Sequence, residues 1–178
     1  MMAMLVFFVL AFFFMAIQTT LFQFFPAWLG GPDLVFILVV FVAYRFDWLG
    51  GLVLVVFCGW MMDIASGLYL GTYPVVYLFV FALLKLLAAN SPLREGLYQI
   101  PMVGISYFVV QLLFYGFFVV IQPEALPEWN WAQVVRETFI LLVASIPCFL
   151  ALNSLFEVLS RRRFVSKILI RRSGNRFR

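Results

Sequence analysis

Six apolar stretches follow one another along the chain, separated by turn residues and charges, and this alternation constrains the fold more than any motif does. They cover roughly residues 2–24, 34–44, 49–64, 74–89, 101–121 and 134–159. A bilayer core of ~30 Å needs ~20 helical residues. The first, fifth and sixth stretches reach that length, whereas the second, third and fourth fall short, as suits helices buried among neighbours or a locally thinned bilayer. With 66% hydrophobic and 11% charged residues, and a mean hydropathy of +1.09, no soluble core needs so much apolar surface. The expected fold is an all-α integral membrane protein with six transmembrane helices, a six-helix domain over residues 1–160 and a basic cytoplasmic tail over 161–178. Five spans is the nearest alternative. Residues 1–25 carry no Lys or Arg ahead of their apolar core and no small-residue cleavage site follows, so they read as a retained first helix.

Prolines mark the limits. Pro74 and Pro101 are expected in first turns, where a missing N–H costs nothing, and Pro26 and Pro92 in connections. Pro147 falls within the sixth span, frees the carbonyl of Val143 and is expected to kink that helix.

Charge sets the expected orientation. With the N-terminus inside, Arg45, Lys85, Arg94 and the eight basic residues of the tail face the cytoplasm, eleven of the twelve in all, leaving only Arg136 outside. Asp33, Asp63, Glu124, Glu128 and Glu137 fall outside, and Trp28, Trp129 and Trp131 sit at the outer interface as an aromatic belt. The outer loop 122–131 is too short to fold alone. In the tail, Arg161, Arg162, Arg163, Lys167, Arg171 and Arg172 surround Phe164, Val165, Ile168 and Leu169, which would share one helix face. Such a segment anchors against anionic lipid, each nearby cation contributing ~1 kcal/mol, and is compatible with docking a cytoplasmic partner. No aromatic platform or recognition fold accompanies the charge, so nucleic acid is not an expected ligand.

Histidine is absent, which removes the commonest general base and metal ligand. Cys58 and Cys148 lie inside apolar runs and read as small packing residues. No cofactor and no enzymatic activity are expected. The acid that stands out is Asp63, between the third and fourth runs and followed by Ser66, Gly67 and Gly71. Capping its own helix would set a carboxylate against the negative end of the macrodipole. Accepting hydrogen bonds from the next segment fits better, with Ser66-Gly67 as a turn and Gly67 free to take positive φ. Catalysis by a lone carboxylate lacks a second acid, a base or a metal set. The expected role is structural, in a tight outer turn, with room for partner contact. Gly50, Gly51 and Gly59 line the third span and would let a neighbouring helix approach closely. Glu157 precedes Arg161 by four residues, the favourable order for a helical pair.

Taken in order, Pro32-Asp33-Leu34 opening the second span, Tyr44-Arg45 at its inner end, the Gly-rich third span and Asp63-x-x-Ser66-Gly67-x-x-x-Gly71 before an apolar fourth span resemble the pattern of the rod shape-determining protein MreD family. The specific part of the likeness lies within residues 32–71. It implies a non-enzymatic component of the bacterial inner membrane, acting in cell elongation with MreC and through it with RodA, a penicillin-binding transpeptidase and MreB. Pro32, Asp33, Arg45, Gly51, Gly59, Asp63, Ser66, Gly67 and Gly71 would be its structural or partner-contact positions. The family is similar in fold to the substrate-binding subunits of energy-coupling-factor vitamin transporters, which makes a vitamin-binding transporter subunit the alternative. Those subunits often carry an A-x-x-x-A pair in the first span, and here no two alanines lie four apart.

Overall fold

The computed structural model describes residues 2–21, 33–67, 70–90, 96–121 and 130–174, with side chains characterised over 4–20, 33–67, 70–88, 100–120 and 130–159. Among the described residues the fold is all-helical. It comprises α1 (Met2–Leu21), α2 (Leu34–Arg45), α3 (Trp48–Ser66), α4 (Thr72–Asn90), α5 (Gly96–Ile121) and α6 (Trp131–Gly174), with no strand. Among the described residues, three segments are long and apolar enough to cross a membrane: Trp48–Ser66, Ile100–Val120 and Trp131–Leu159. Three shorter apolar helical segments, Met4–Thr20, Leu34–Arg45 and Thr72–Ala88, accompany them.

α2 is the centre of the bundle. Its twelve residues span about 18 Å at ~1.5 Å per residue, too little for a bilayer core on their own. Every side chain from Val35 to Tyr44 is buried, and α2 touches all five other helices. A helix that is apolar all round either faces lipid or is buried by protein, and α2 is buried by its five neighbours. Asp33 starts it from an extended conformation (φ −76°, ψ 91°), and the extended Phe46 ends it, donating its N–H to the Val42 carbonyl at 3.0 Å. Around α2 the most extensive pairings are α3 with α4 and α5 with α6.

Two limits differ from the sequence expectation. α3 begins at Trp48, inside the expected turn, and reaches nineteen residues, so it is not a short span. α5 begins at Gly96, which places Pro101 inside the helix rather than in its first turn. The turn ahead of Pro101 contains Tyr98 and Gln99 and gives no apolar signal, yet it continues the same helix. α6 runs through Pro147 without a break and its backbone stays helical past residue 160 into the basic segment. Pro26, Gly30, Gly31, Pro32, Pro92, Trp28, Trp129 and most of the outer loop lie outside the described residues. So do the side chains of Arg161, Arg162, Arg163, Lys167, Arg171 and Arg172.

Candidate functional site

Both buried acids among the described residues fasten α4. Asp63, only 2% exposed, stands in the last turn of α3. Its Oδ2 accepts the Gly71 N–H at 2.5 Å and its Oδ1 the Tyr73 N–H at 2.9 Å. These are donors at the start of α4, where the Gly71 carbonyl accepts the first helical bond from Val75 at 3.2 Å. Asp63 therefore caps the following helix, not its own. The carboxylate meets the positive end of the α4 macrodipole, which favours it by ~0.3–1 kcal/mol, in addition to charge-assisted hydrogen bonds of ~1.5–3 kcal/mol each. Pro74, third in α4, has no N–H and leaves none to satisfy.

Asp33 works one element earlier. Its Oδ1 accepts the Phe36 N–H at 3.0 Å, capping α2, and its Oδ2 accepts the Tyr77 hydroxyl from α4 at 2.5 Å. Tyr73 lies within electrostatic reach of both carboxylates, and its ring meets that of Tyr77 edge-on at 5.7 Å. Successive turns of α4 are thus tied to α3 through a main-chain N–H and to α2 through a phenol.

The glycines let α4 come close. A Cβ on Gly59 would lie 2.6 Å from the Pro74 Cα and 2.7 Å from its nitrogen, and one on Gly51 would lie 2.7 Å from the Phe81 ring. Gly50 instead faces α1, where an added Cβ would lie 3.7 Å from the Met4 thioether. In the turn, Gly67 caps α3 with φ +63° and Gly71 holds φ +99°, a left-handed region that other residues enter at a cost. The Asp63 carbonyl accepts the Gly67 N–H at 3.1 Å and the Ser66 hydroxyl at 3.3 Å.

Arg45 sits apart from this set, at the far end of α2. Its guanidinium donates to Asn153 Oδ1 on α6 and lies over the Phe156 ring at 5.7 Å from the centroid. Asn153 in turn donates to Glu157 at 3.4 Å. Sequence reasoning missed Tyr77 and Asn153, since each reads as one more residue within an apolar run. It also missed the pairing of α5 with α6 through Gln111, which donates to Glu137 at 3.0 Å while Gln133 donates to the other Glu137 oxygen at 2.8 Å. Polar residues facing each other from two spans are a signal that could have raised it.

All four carboxylate oxygens of the two aspartates accept hydrogen bonds from the chain itself. Among the described residues no group of three or more His, Cys, Asp or Glu gathers where a metal ion could bind. The geometry is that of a helical clamp. No protein-family profile, curated protein or solved structure matches the chain.

Proposed function

We propose that this chain is a non-enzymatic membrane scaffold of the MreD type. In this reading it crosses the bacterial inner membrane six times with both termini cytoplasmic. There it acts with MreC, and through it with RodA, a penicillin-binding transpeptidase and MreB, to organise peptidoglycan synthesis along the rod. The observation that carries the reading is convergence. Of the positions on which the family likeness rests, Asp33, Gly51, Gly59, Asp63 and Gly71 are spread over three segments, yet each contacts α4 or opens it, while Arg45 packs on α6 instead. The distribution of basic residues supports the cytoplasmic termini, with the tail held against anionic lipid.

Deleting the gene in its rod-shaped host is expected to give rounded cells, and complementation with Asp63→Ala to restore the rod poorly. Normal rods after a clean deletion would sink the proposal. Saturable stabilisation of the purified protein by a vitamin, with no shape defect, would instead favour the transporter-subunit reading.

A further inference from the structure

Among the described residues Arg136 is a cation without an acid. It is the sixth residue of α6, within the apolar segment Trp131–Leu159. At ~1.5 Å per residue it stands about 8 Å along the axis from the start of that helix. A cation inside a span is costly and calls for a partner. The Arg136 Nε is covered by the protein and donates to nothing, which holds the side chain against the helix instead of letting it extend to the interface. The residue as a whole is only half-buried, so its Nη groups can reach a neighbouring molecule. The next residue has the opposite need. Glu137 accepts from Gln111 at 3.0 Å and from Gln133 at 2.8 Å, both neutral amides, and each of its oxygens keeps a lone pair for a second donor.

Within one chain the two charges do not meet, because consecutive residues leave a helix about 100° apart and do not face each other. A second copy can join them. In a two-fold pair whose axis runs along the membrane normal, the two α6 helices lie side by side and parallel, so positions 136 and 137 of both stand at one depth. Each copy then sets its cation against the other's acid, and the symmetry makes both pairs or neither. A lipid phosphate would satisfy Arg136 alone and leave Glu137 as it stands. The face involved is open to such an approach. Val134, Leu141 and Ser145, which are buried, lie on the far side of α6 from Arg136. Ile140 and Ala144 lie between the directions of Arg136 and Glu137 on the following turns. Ala151 follows Ala144 by seven residues on that flank, and small residues at this spacing admit a parallel helix. We propose that two copies of this chain pair along α6, Arg136 of each against Glu137 of the other. The pairing rests on α6 crossing a membrane and is independent of the scaffold reading.

The test is self-association of the purified full-length chain in phosphatidylcholine vesicles, read by Förster transfer between labelled copies as the protein-to-lipid ratio rises. Melting temperature in detergent, at a dilution where the chain is monomeric, checks each protomer. The unaltered chain is expected to associate saturably as a dimer. Arg136→Ala should weaken association by about 10–100-fold, since symmetry removes both pairs at once. Its monomer should melt as the unaltered one does, because no bond within the chain is lost. Arg136→Glu and Glu137→Arg should each fail to self-associate, whereas a mixture of the two should pair, two acids on one copy facing two cations on the other. If Glu137→Arg melts lower through loss of its bonds to Gln111 and Gln133, Arg136→Ala alone decides. A monomeric unaltered chain would overturn the proposal. So would association that Arg136→Ala leaves intact: with an unchanged melting temperature it assigns Arg136 to a lipid phosphate, and with a lowered one to an acid of its own chain.

Discussion

Gly59→Ala tests the closest approach in the bundle. The added methyl would stand 2.6 Å from the Pro74 Cα and 2.7 Å from its nitrogen, against the ~3.5–4.0 Å at which carbon atoms attract. Both obstacles are main-chain atoms, and they belong to the helix start that Asp63 fixes, so neither can turn aside. α3 and α4 must part by close to an ångström. Overpacking of this kind costs ~1–3 kcal/mol, and a rigid backbone obstacle argues for the upper end. Set against it is the ~0.8–1.0 kcal/mol that replacing a helical Gly by Ala returns. The net expectation is a loss of about 1–2 kcal/mol. Gly50→Ala is the matched control, nine residues away on the same helix. Its methyl meets only the flexible end of Met4 at 3.7 Å, so the propensity gain is kept and stability should rise by up to ~1 kcal/mol. Gly51→Ala should fall between them, because the Phe81 ring at 2.7 Å is a side chain that can swing. Unfolding by SDS titration from mixed micelles measures all three. Gly59→Ala at or above the stability of the unaltered protein would refute the close packing of α3 on α4.

Asp63→Ala removes the acceptors of the Gly71 and Tyr73 amides. Because the neighbouring Ser66 and Gly67 are exposed and water can replace part of the loss, the expected cost is about 2–3 kcal/mol in the same titration. Asp63→Asn keeps one acceptor and should cost less, with faster hydrogen exchange at the Gly71 and Tyr73 amides in both variants. Tyr77→Phe deprives the buried Asp33 of a donor and should destabilise by ~1–3 kcal/mol, and a change within error would show that the phenol does not hold α2 to α4.

The helical class was legible because long continuous apolar runs, without the alternation of barrel strands, satisfy their backbone in lipid as helices. The shortness of α2 was legible too, and with it the expectation of a helix buried among neighbours. Helix starts were harder to place. Trp48 and Gly96 open α3 and α5 in stretches that look like connections, because an interfacial turn need not be apolar to be helical. At Asp63, the macrodipole argument disfavoured a cap on its own helix and favoured acceptance from the next segment, and the partners are the Gly71 and Tyr73 amides. What stayed hidden were contacts far apart in sequence. Nothing local to Asp33 points to a phenol forty-four residues on, and nothing local to Gly59 points to Pro74.

Lipid tails are as apolar as leucine, so apolar burial alone does not hold membrane helices together, and close packing and polar bonds must supply the rest. Here both are concentrated on α4. Asp33 and Asp63 fix its first turns, Gly59 admits Pro74, and Gly51 admits Phe81 two turns further on. α5 and α6 make their own polar pairing through Gln111 and Glu137 and join the rest chiefly through α2 and α4. A carrier that opens around its cargo has to break contacts during its cycle. Bonds from buried carboxylates to main-chain N–H groups, reinforced by methyl-free backbone contact, are poor candidates for repeated breaking. Their placement ties α2, α3 and α4 together, and the outward sides of α3 and α4 expose Trp60, Ile64, Val75 and Phe79. Under the scaffold proposal such a clamped unit would give a partner one register in which to dock, whereas a carrier would have to loosen it.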